Sequence, residues 1–263
     1  MPDLKVSTGG LEEISRQSLD SSNTVEAIIT GVKHLASCNW IEAPKPTIAV
    51  PGSPALYPLE PLFRALYIEQ PSFDIDSIDI VTDRNNVRKL LSFINPTQSK
   101  NGLNHPNFGV LGVNSRNYTR STRQYCIISY RLGNISFLVR YETDGYTSDS
   151  KPSIKDDVSI GDNLAEILHS LSLTSETTYT VQMSISQTPK LVRAFHQRGI
   201  FSRPEVEDVT TTIKDWERGN QDDIKKLIAL ANRILRVTRN WGGSSFIRYD
   251  RLEDKLVIKQ VER

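Results

Sequence analysis

Residues 127–145 read Ile-Ile-Ser-Tyr-Arg-Leu-Gly-Asn-Ile-Ser-Phe-Leu-Val-Arg-Tyr-Glu-Thr-Asp-Gly. No other stretch restricts the fold as much. β-Branched and aromatic residues on both sides of Gly133-Asn134 specify two antiparallel strands joined by a tight turn. Glu142 and Asp144 stand two residues apart at the end of the second strand, so a regular strand projects both from one face. Two such carboxylates on a rigid scaffold suit a divalent cation that wants hard oxygen ligands and keeps room for water and phosphate. The same spacing also describes an ordinary solvated strand end.

A chain of 263 residues with 38% apolar and 24% charged content can bury a sizeable core as one large domain. Its formal charge of +1 provides no global field for a polyanion, so nucleic acid would have to meet a local basic surface. Cys38 and Cys126 have neither the density of a disulfide scaffold nor zinc-site spacing. His34, His105, His169 and His196 are too dispersed for a histidine metal centre. No apolar run reaches membrane-spanning length, and Met1 to Lys5 does not open a secretory signal. These features predict an intracellular protein of the nucleus or cytoplasm with no membrane partner.

Residues 1–23 are polar and read as a flexible arm, leaving 24–263 as a single domain. Val25, Ile28, Ile29, Val32 and Leu35 recur at helical spacing and predict a helix to Ala36. The proline-rich stretch 44–54 permits only a short extended piece. A short helix over 61–67 and an alternating strand over 73–81 follow. Thr82 or Asp83 can cap a helix that turns Val87, Leu90, Leu91 and Ile94 inward and carries Arg84, Arg88 and Lys89. Arg84 and Arg88 are a like-charged i,i+4 pair, unfavourable unless an anion sits between them. An exposed basic face is the plainer alternative.

Residues 95–121 read as loop, where Arg116, Arg120 and Arg123 around Tyr118 and Tyr125 would suit a stacked base or form an exposed basic loop. A polar connection near 147–162 reads as a flexible lid. Next come helical turns at 164–168, a β-compatible segment at 175–183 and a proline-initiated helix at 188–196. The strongest helix covers 221–238, with acidic residues early and arginines late as the helix field prefers. Residues 246–250 and 255–259 form a last hairpin. The predicted class is α+β, a mixed central sheet flanked by helices.

Several blocks carry a family resemblance: Thr47 to Pro54, Val81 to Leu91, Ser129-Tyr130-Arg131, Val139 to Tyr146 and Ser186 to Ala194. They resemble a family of fungal proteins often labelled geranylgeranyl pyrophosphate synthetases. The chain lacks the aspartate-rich motifs such chemistry needs, since Asp156-Asp157 and Asp222-Asp223 each stop at two. More remotely, the order of elements resembles decapping and pyrophosphohydrolase nucleases of the Rai1/DXO type, with a PD-(D/E)XK-like core.

In that family an arginine block precedes a Glu-x-Asp strand, a Glu-x-Lys strand and a helix bearing a substrate-facing glutamine. Carried across, the resemblance implies that Glu142, Asp144 and Glu176 hold Mg²⁺ or Mn²⁺. It places Arg84, Arg88 and Arg131 on the substrate and Gln182 or Gln187 in the glutamine role. With Glu176 in the glutamate position, Thr178 takes the lysine position and supplies no cation, leaving Lys155 or Lys190 as the candidates to replace it from another element. The resulting expectation is a truncated or degenerate nuclease-like domain acting on the 5′ end of RNA. The alternatives are a non-catalytic nucleic-acid or protein binder and a scaffold recruited to specialised metabolism, with a pocket lined by Trp216 and Trp241.

Overall fold

The computed structural model describes residues 6–19, 27–41, 47–50, 53–54, 61–96, 122–143, 145–146, 164–169, 176–194, 196–197, 200–201, 203, 205–242 and 244–261. Its central sheet has the order β4 (Ser53–Pro54), β3 (Thr47–Val50), β2 (Ile29–Ile41), β6 (Thr122–Leu132), β7 (Ile135–Thr143) and β5 (Ile80–Asp83). All pairings are antiparallel except β5 with β7. The expected α+β architecture, mixed sheets flanked by helices, is what forms.

The β6–β7 hairpin runs unshifted from Leu132↔Ile135 to Gln124↔Thr143. Gly133 has φ +59° and opens the two-residue turn, the backbone for which glycine is preferred at the first central position. A Cβ there would also stand 3.0 Å from Ile228 Cδ1. Ile135, Phe137, Val139 and Tyr141 of β7 join the main core with Cys126, Ile128, Tyr130 and Leu132 of β6. On the opposite face Leu138 and Ile127 meet Ala65 and Leu66 of α1 (Pro61–Glu69) in a second core.

Helix α2 (Arg84–Ile94) covers the main core with Val87, Leu91, Phe93 and Ile94. Between α1 and α2 the expected strand 73–81 is shorter than its alternation suggested. Ile75–Ser77 forms a 3₁₀ turn whose preceding Asp74 carboxylate accepts from the Asp76 amide at 3.1 Å, and only Ile80–Asp83 joins the sheet.

A second mixed sheet has the order β13 (Glu205–Asp208), β10 (Lys190–Ala194), β9 (Leu164–His169) and β8 (Gly145–Tyr146), while β11 (His196–Gln197) and β12 (Ile200–Phe201) form a separate antiparallel pair. Helices α3 (Glu176–Ser186) and α4 (Thr210–Gly219) accompany it, with Met183, Leu191, Val209 and Ile213 in a small core. Three expectations reverse here: 164–168 is a strand, 175–183 lies largely in a helix, and 188–196 contains strand rather than helix. The threonines of α3 favour a strand locally. Its Val181 and Ile185, one helical turn apart, nevertheless enter the main core together.

Helix α5 (Gln221–Trp241) buries Ile224, Leu227, Ile228, Leu230, Ala231 and Val237, as its apolar band predicts. It packs near a three-stranded sheet ordered β1 (Val6–Ser15), β15 (Lys255–Val261) and β14 (Ser244–Asp250). β1 corrects the flexible-arm reading for 6–15. This strand pairs antiparallel with β15 and buries Ile14 completely. Arg16 then bridges Asp254 and donates to the Phe93 carbonyl, while Lys255 meets Glu13 at 2.8 Å. The predicted helix over 25–36 is likewise corrected, because β2 occupies 29–41. Two register shifts, between Thr30 and Lys33 and between His34 and Ala36, interrupt its period-two pattern and imitate helical spacing. Among the described residues no helix is long and apolar enough to cross a membrane.

Asp79 ties the hairpin turn to α5. Its Oδ2 accepts from the Ser136 amide at 2.9 Å and hydroxyl at 3.0 Å, and its Oδ1 accepts from Arg239 at 2.8 Å. The Ser136 amide bond and then Arg239 hold its carboxyl below the ordinary value. Asp79→Asn should cost about 2 kcal/mol at pH 7 in urea unfolding, the scale of hydrogen bonds to a charged group. Because the folded-state value is depressed, this stabilisation is present above the ordinary 3.8 and fades as pH falls through the depressed value. The gap between wild type and variant should therefore narrow below about pH 4; a constant gap down to pH 2 would contradict the assignment.

Candidate functional site

The chain crosses from one mixed sheet to the other immediately after Glu142. β7 ends at Thr143 in the central sheet, and β8 begins at Gly145 in the second. There Gly145 pairs with Ala165 and Tyr146 with Leu164 of β9, so Glu166 is the next residue along that strand. On the other side of β7, the parallel register Asp83↔Arg140 brings the β5–α2 junction to the same end of the sheet. The seam thus gathers Glu142, the Glu166 position of β9, Asp83, Arg84 and Arg140. Asp144 lies outside the described residues.

Alternation along the unshifted β7 puts Tyr141 and Arg140 on opposite faces, and the α2 residue Arg84 lies on the Tyr141 side. Arg84 is 8% exposed, and its guanidinium carbon stands 5.6 Å from the centre of the Tyr141 ring, on the main-core side. The expected exposed phosphate arginine is therefore buried against an aromatic ring. Arg140 shares the opposite face with Glu142. Its Nε donates to Asp83 Oδ1 at 2.7 Å, and its guanidinium lies 5.2 Å from the centre of the Tyr125 ring. Tyr125 is the direct cross-strand neighbour of Glu142. Asp83 stands at the N-cap position of α2 but makes no side-chain cap bond, its carboxylate being turned to Arg140. The capping role expected from Thr82 or Asp83 is absent for Asp83 for that reason.

The remaining candidates disperse. Arg131 pairs with Ser136 near the hairpin turn, six residues along β7 from Glu142, or about 20 Å at strand rise. Arg88 donates to Asn85 at 3.3 Å one turn further along α2. Glu176 begins α3 and is not on a strand, so the Glu176/Thr178 assignment to a Glu-x-Lys strand fails on backbone grounds. The strand preceding the helix is β9, which carries Glu166-Ile167-Leu168. Sequence reading missed Glu166 because 164–168 looked helical. Lys190 lies 3.9 Å from Asp208 on the neighbouring β13 strand, while Lys155 and the 147–162 connection fall outside the described residues. So does the loop bearing Arg116, Tyr118 and Arg120.

Gln182 is a half-buried residue of α3, its carbonyl accepting from Ser186 at 2.9 Å. Gln187 adopts φ +51° just beyond that helix, where its amide donates to Glu217 at 3.2 Å. Ser184 donates to the same Glu217 oxygen at 2.8 Å. Glu217 is 5% exposed, and burial pushes its carboxyl above the usual range. This network packs α3 against α4 and holds the Gln187 side chain on Glu217.

Trp216 and Trp241 pack against the main core. Burial pushes both Cys38 and Cys126 thiols up to about 11, which disfavours a thiolate nucleophile. Among the described residues no three His, Cys, Asp or Glu side chains converge as a metal cluster.

A family model described as a domain of unknown function (DUF8563) matches residues 162–262. No curated protein sequence matches the chain. Solved structures are similar over nearly its whole length. The Rai1 structure of S. pombe has a TM-score of 0.59 at 11% identity, covering 96% of this chain and 100% of that one. Candida albicans Rai1, solved in complex with pU5-Mn²⁺, gives 0.61 at 9% identity over 97% of this chain and 93% of that one. Scheffersomyces stipitis Rai1, solved with (3′-NADP)⁺ and calcium ion, gives 0.58 at 12% identity over the same shares, 97% and 93%. At these identities the likeness establishes a Rai1-like fold.

Gln187→Ala should lower stability by about 1–3 kcal/mol in urea unfolding, since it removes a partner of a buried carboxylate. Unchanged stability would contradict that structural role of Gln187.

Proposed function

We propose that this chain is a divergent Rai1-like protein that binds the 5′ end of RNA at the seam between its sheets. There it would act as a weak metal-dependent nuclease or pyrophosphohydrolase. The observation carrying this reading is the delivery of Glu142 and the Glu166 strand to one seam of a Rai1-like fold. Glu142, Asp144 and Glu166 are the proposed ligands, and the PD-(D/E)XK relationship is part of the same reading.

Carboxylate oxygens fit Mg²⁺ or Mn²⁺ as hard donors. A cation bound there would supply positive charge against a phosphoryl oxygen. The residues themselves have separate tasks: the strands hold the carboxylates on a rigid frame, Arg140 supplies the guanidinium on the Glu142 face, and Gln182 is retained as the glutamine candidate.

With β9 as the Glu-x-Lys strand, the lysine position falls on Leu168. A leucine cannot orient a water or offset charge on the reacting phosphoryl group. Loss of one such electrostatic contact costs on the order of 100-fold in rate. That same leucine favours a second reading, in which the fold is kept as a non-catalytic RNA-binding module. Protein partners and nuclear or cytoplasmic residence are compatible with both.

Incubation of 5′-triphosphate and capped RNA with Mn²⁺ or Mg²⁺ separates the two. The catalytic reading expects slow turnover, abolished by the Glu142→Ala/Asp144→Ala double variant and raised on the order of 100-fold by Leu168→Lys. RNA binding without turnover by wild type and by Leu168→Lys would establish the binding module instead. Turnover that persists in the double variant would contradict the assigned ligands.

A further inference from the structure

Among the described residues Arg140 has a distinctive combination of restraint and access. Its Nε is committed to Asp83 at 2.7 Å, its guanidinium rests against the Tyr125 ring, and its side chain remains 27% exposed. Neither terminal amino group has a hydrogen-bond acceptor among the described residues. An arginine anchored through Nε and stacked on an aromatic ring presents that terminal edge as a fixed fork. This geometry matches the paired oxygens of a phosphate.

The placement of the fork favours a terminal phosphate over a generic polyanion. Arg140 and Glu142 occupy the same face of β7 two residues apart, about 7 Å along the strand. A phosphoryl group reaching the Glu142 carboxylate would therefore lie beside the fork. Asp83 contributes its side chain to this arrangement at the expense of an N-cap bond worth about 1 kcal/mol in typical helices. Tyr125 supplies the platform, and its cross-strand pairing with Glu142 puts platform, fork and carboxylate on one surface. Arg84, the arginine singled out by the sequence, is turned to the other face.

We infer that Arg140, oriented by Asp83 and Tyr125, is the specificity residue that receives the 5′-terminal phosphate of an oligonucleotide. The inference rests on the proposed function for the location of the substrate. It differs from the metal assignment because the guanidinium is permanently charged and requires no cation. Arg140→Gln removes the charge and the fork. Arg140→Lys keeps the charge and an Asp83 partner but loses the paired donors, so it separates recognition from simple charge. Asp83→Asn tests the positioning role, since it leaves Arg140 present with a weaker anchor.

The test is fluorescence anisotropy with 5′-phosphorylated and 5′-hydroxyl oligouridylates, with and without Mn²⁺, alongside thermal unfolding of every variant. Wild type should prefer the phosphorylated end at least tenfold even without metal. Arg140→Gln should abolish that preference while leaving 5′-hydroxyl binding intact, with Arg140→Lys and Asp83→Asn intermediate. A preference that survives Arg140→Gln, or fails to appear in wild type without metal, overturns the inference. Mn²⁺ dependence lost in Glu142→Ala reports separately on the metal assignment. That assignment can therefore stand while the inference falls, or fall while a metal-independent phosphate preference remains. If Arg140→Gln does not fold, Arg140→Lys decides: an undiminished preference there overturns the fork.

Discussion

Strand β7 is buried on both faces, and this constraint organises the rest of the molecule. Phe137, Val139 and Tyr141 enter one core while Leu138 enters another, so a one-residue slip would exchange the two sets of packing partners. The Gly133-Asn134 turn sets its register against β6, and Asp79 fixes the adjoining Ser136 to α5. The polar end of β7 is therefore held by the apolar remainder of the same strand. Glu142 follows directly from this packing, without any flexible segment having to place it.

The seam derives its charge pattern from the same geometry. Alternation along β7 puts Tyr141, on which the α2 residue Arg84 rests, on one face and Arg140 with Glu142 on the other, although both arginines emerge near one end of the sheet. Asp83 joins the two by preceding Arg84 in the chain and binding Arg140 through its side chain. An acidic position on β9, an acidic position on β7 and a restrained guanidinium thus meet at one seam.

Elements with one dominant local signal were legible in the sequence. The β6–β7 hairpin, α2, α5 and the last hairpin all have patterns that their packing reinforces. β1 was illegible because its partner is at the far end of the chain and its Leu11 is exposed while Ile14 is buried. β2 misled because two bulges changed its apparent period. The segments 164–168, 175–183 and 188–196 each reversed type, since threonine-rich α3 gains its helix from tertiary packing.

Those reversals also explain what was visible of the site. Glu142 and Arg84 lay within legible elements, whereas Glu166 was hidden by a mistaken helix and Glu176 elevated by a mistaken strand. Arg140 was present in the most informative segment of the sequence. Its restraint depends on Asp83 and Tyr125, which strand pairing brings beside it. Sequence order supplied the residues but not this three-part contact.

Anomalous scattering from Mn²⁺-soaked crystals bearing a 5′-phosphorylated oligonucleotide tests the central claim most directly. The account predicts a manganese peak within ligand distance of Glu142 and Glu166, with the terminal phosphate against Arg140. A fully occupied manganese site away from Glu142, or an RNA end bound elsewhere on the molecule, would contradict it.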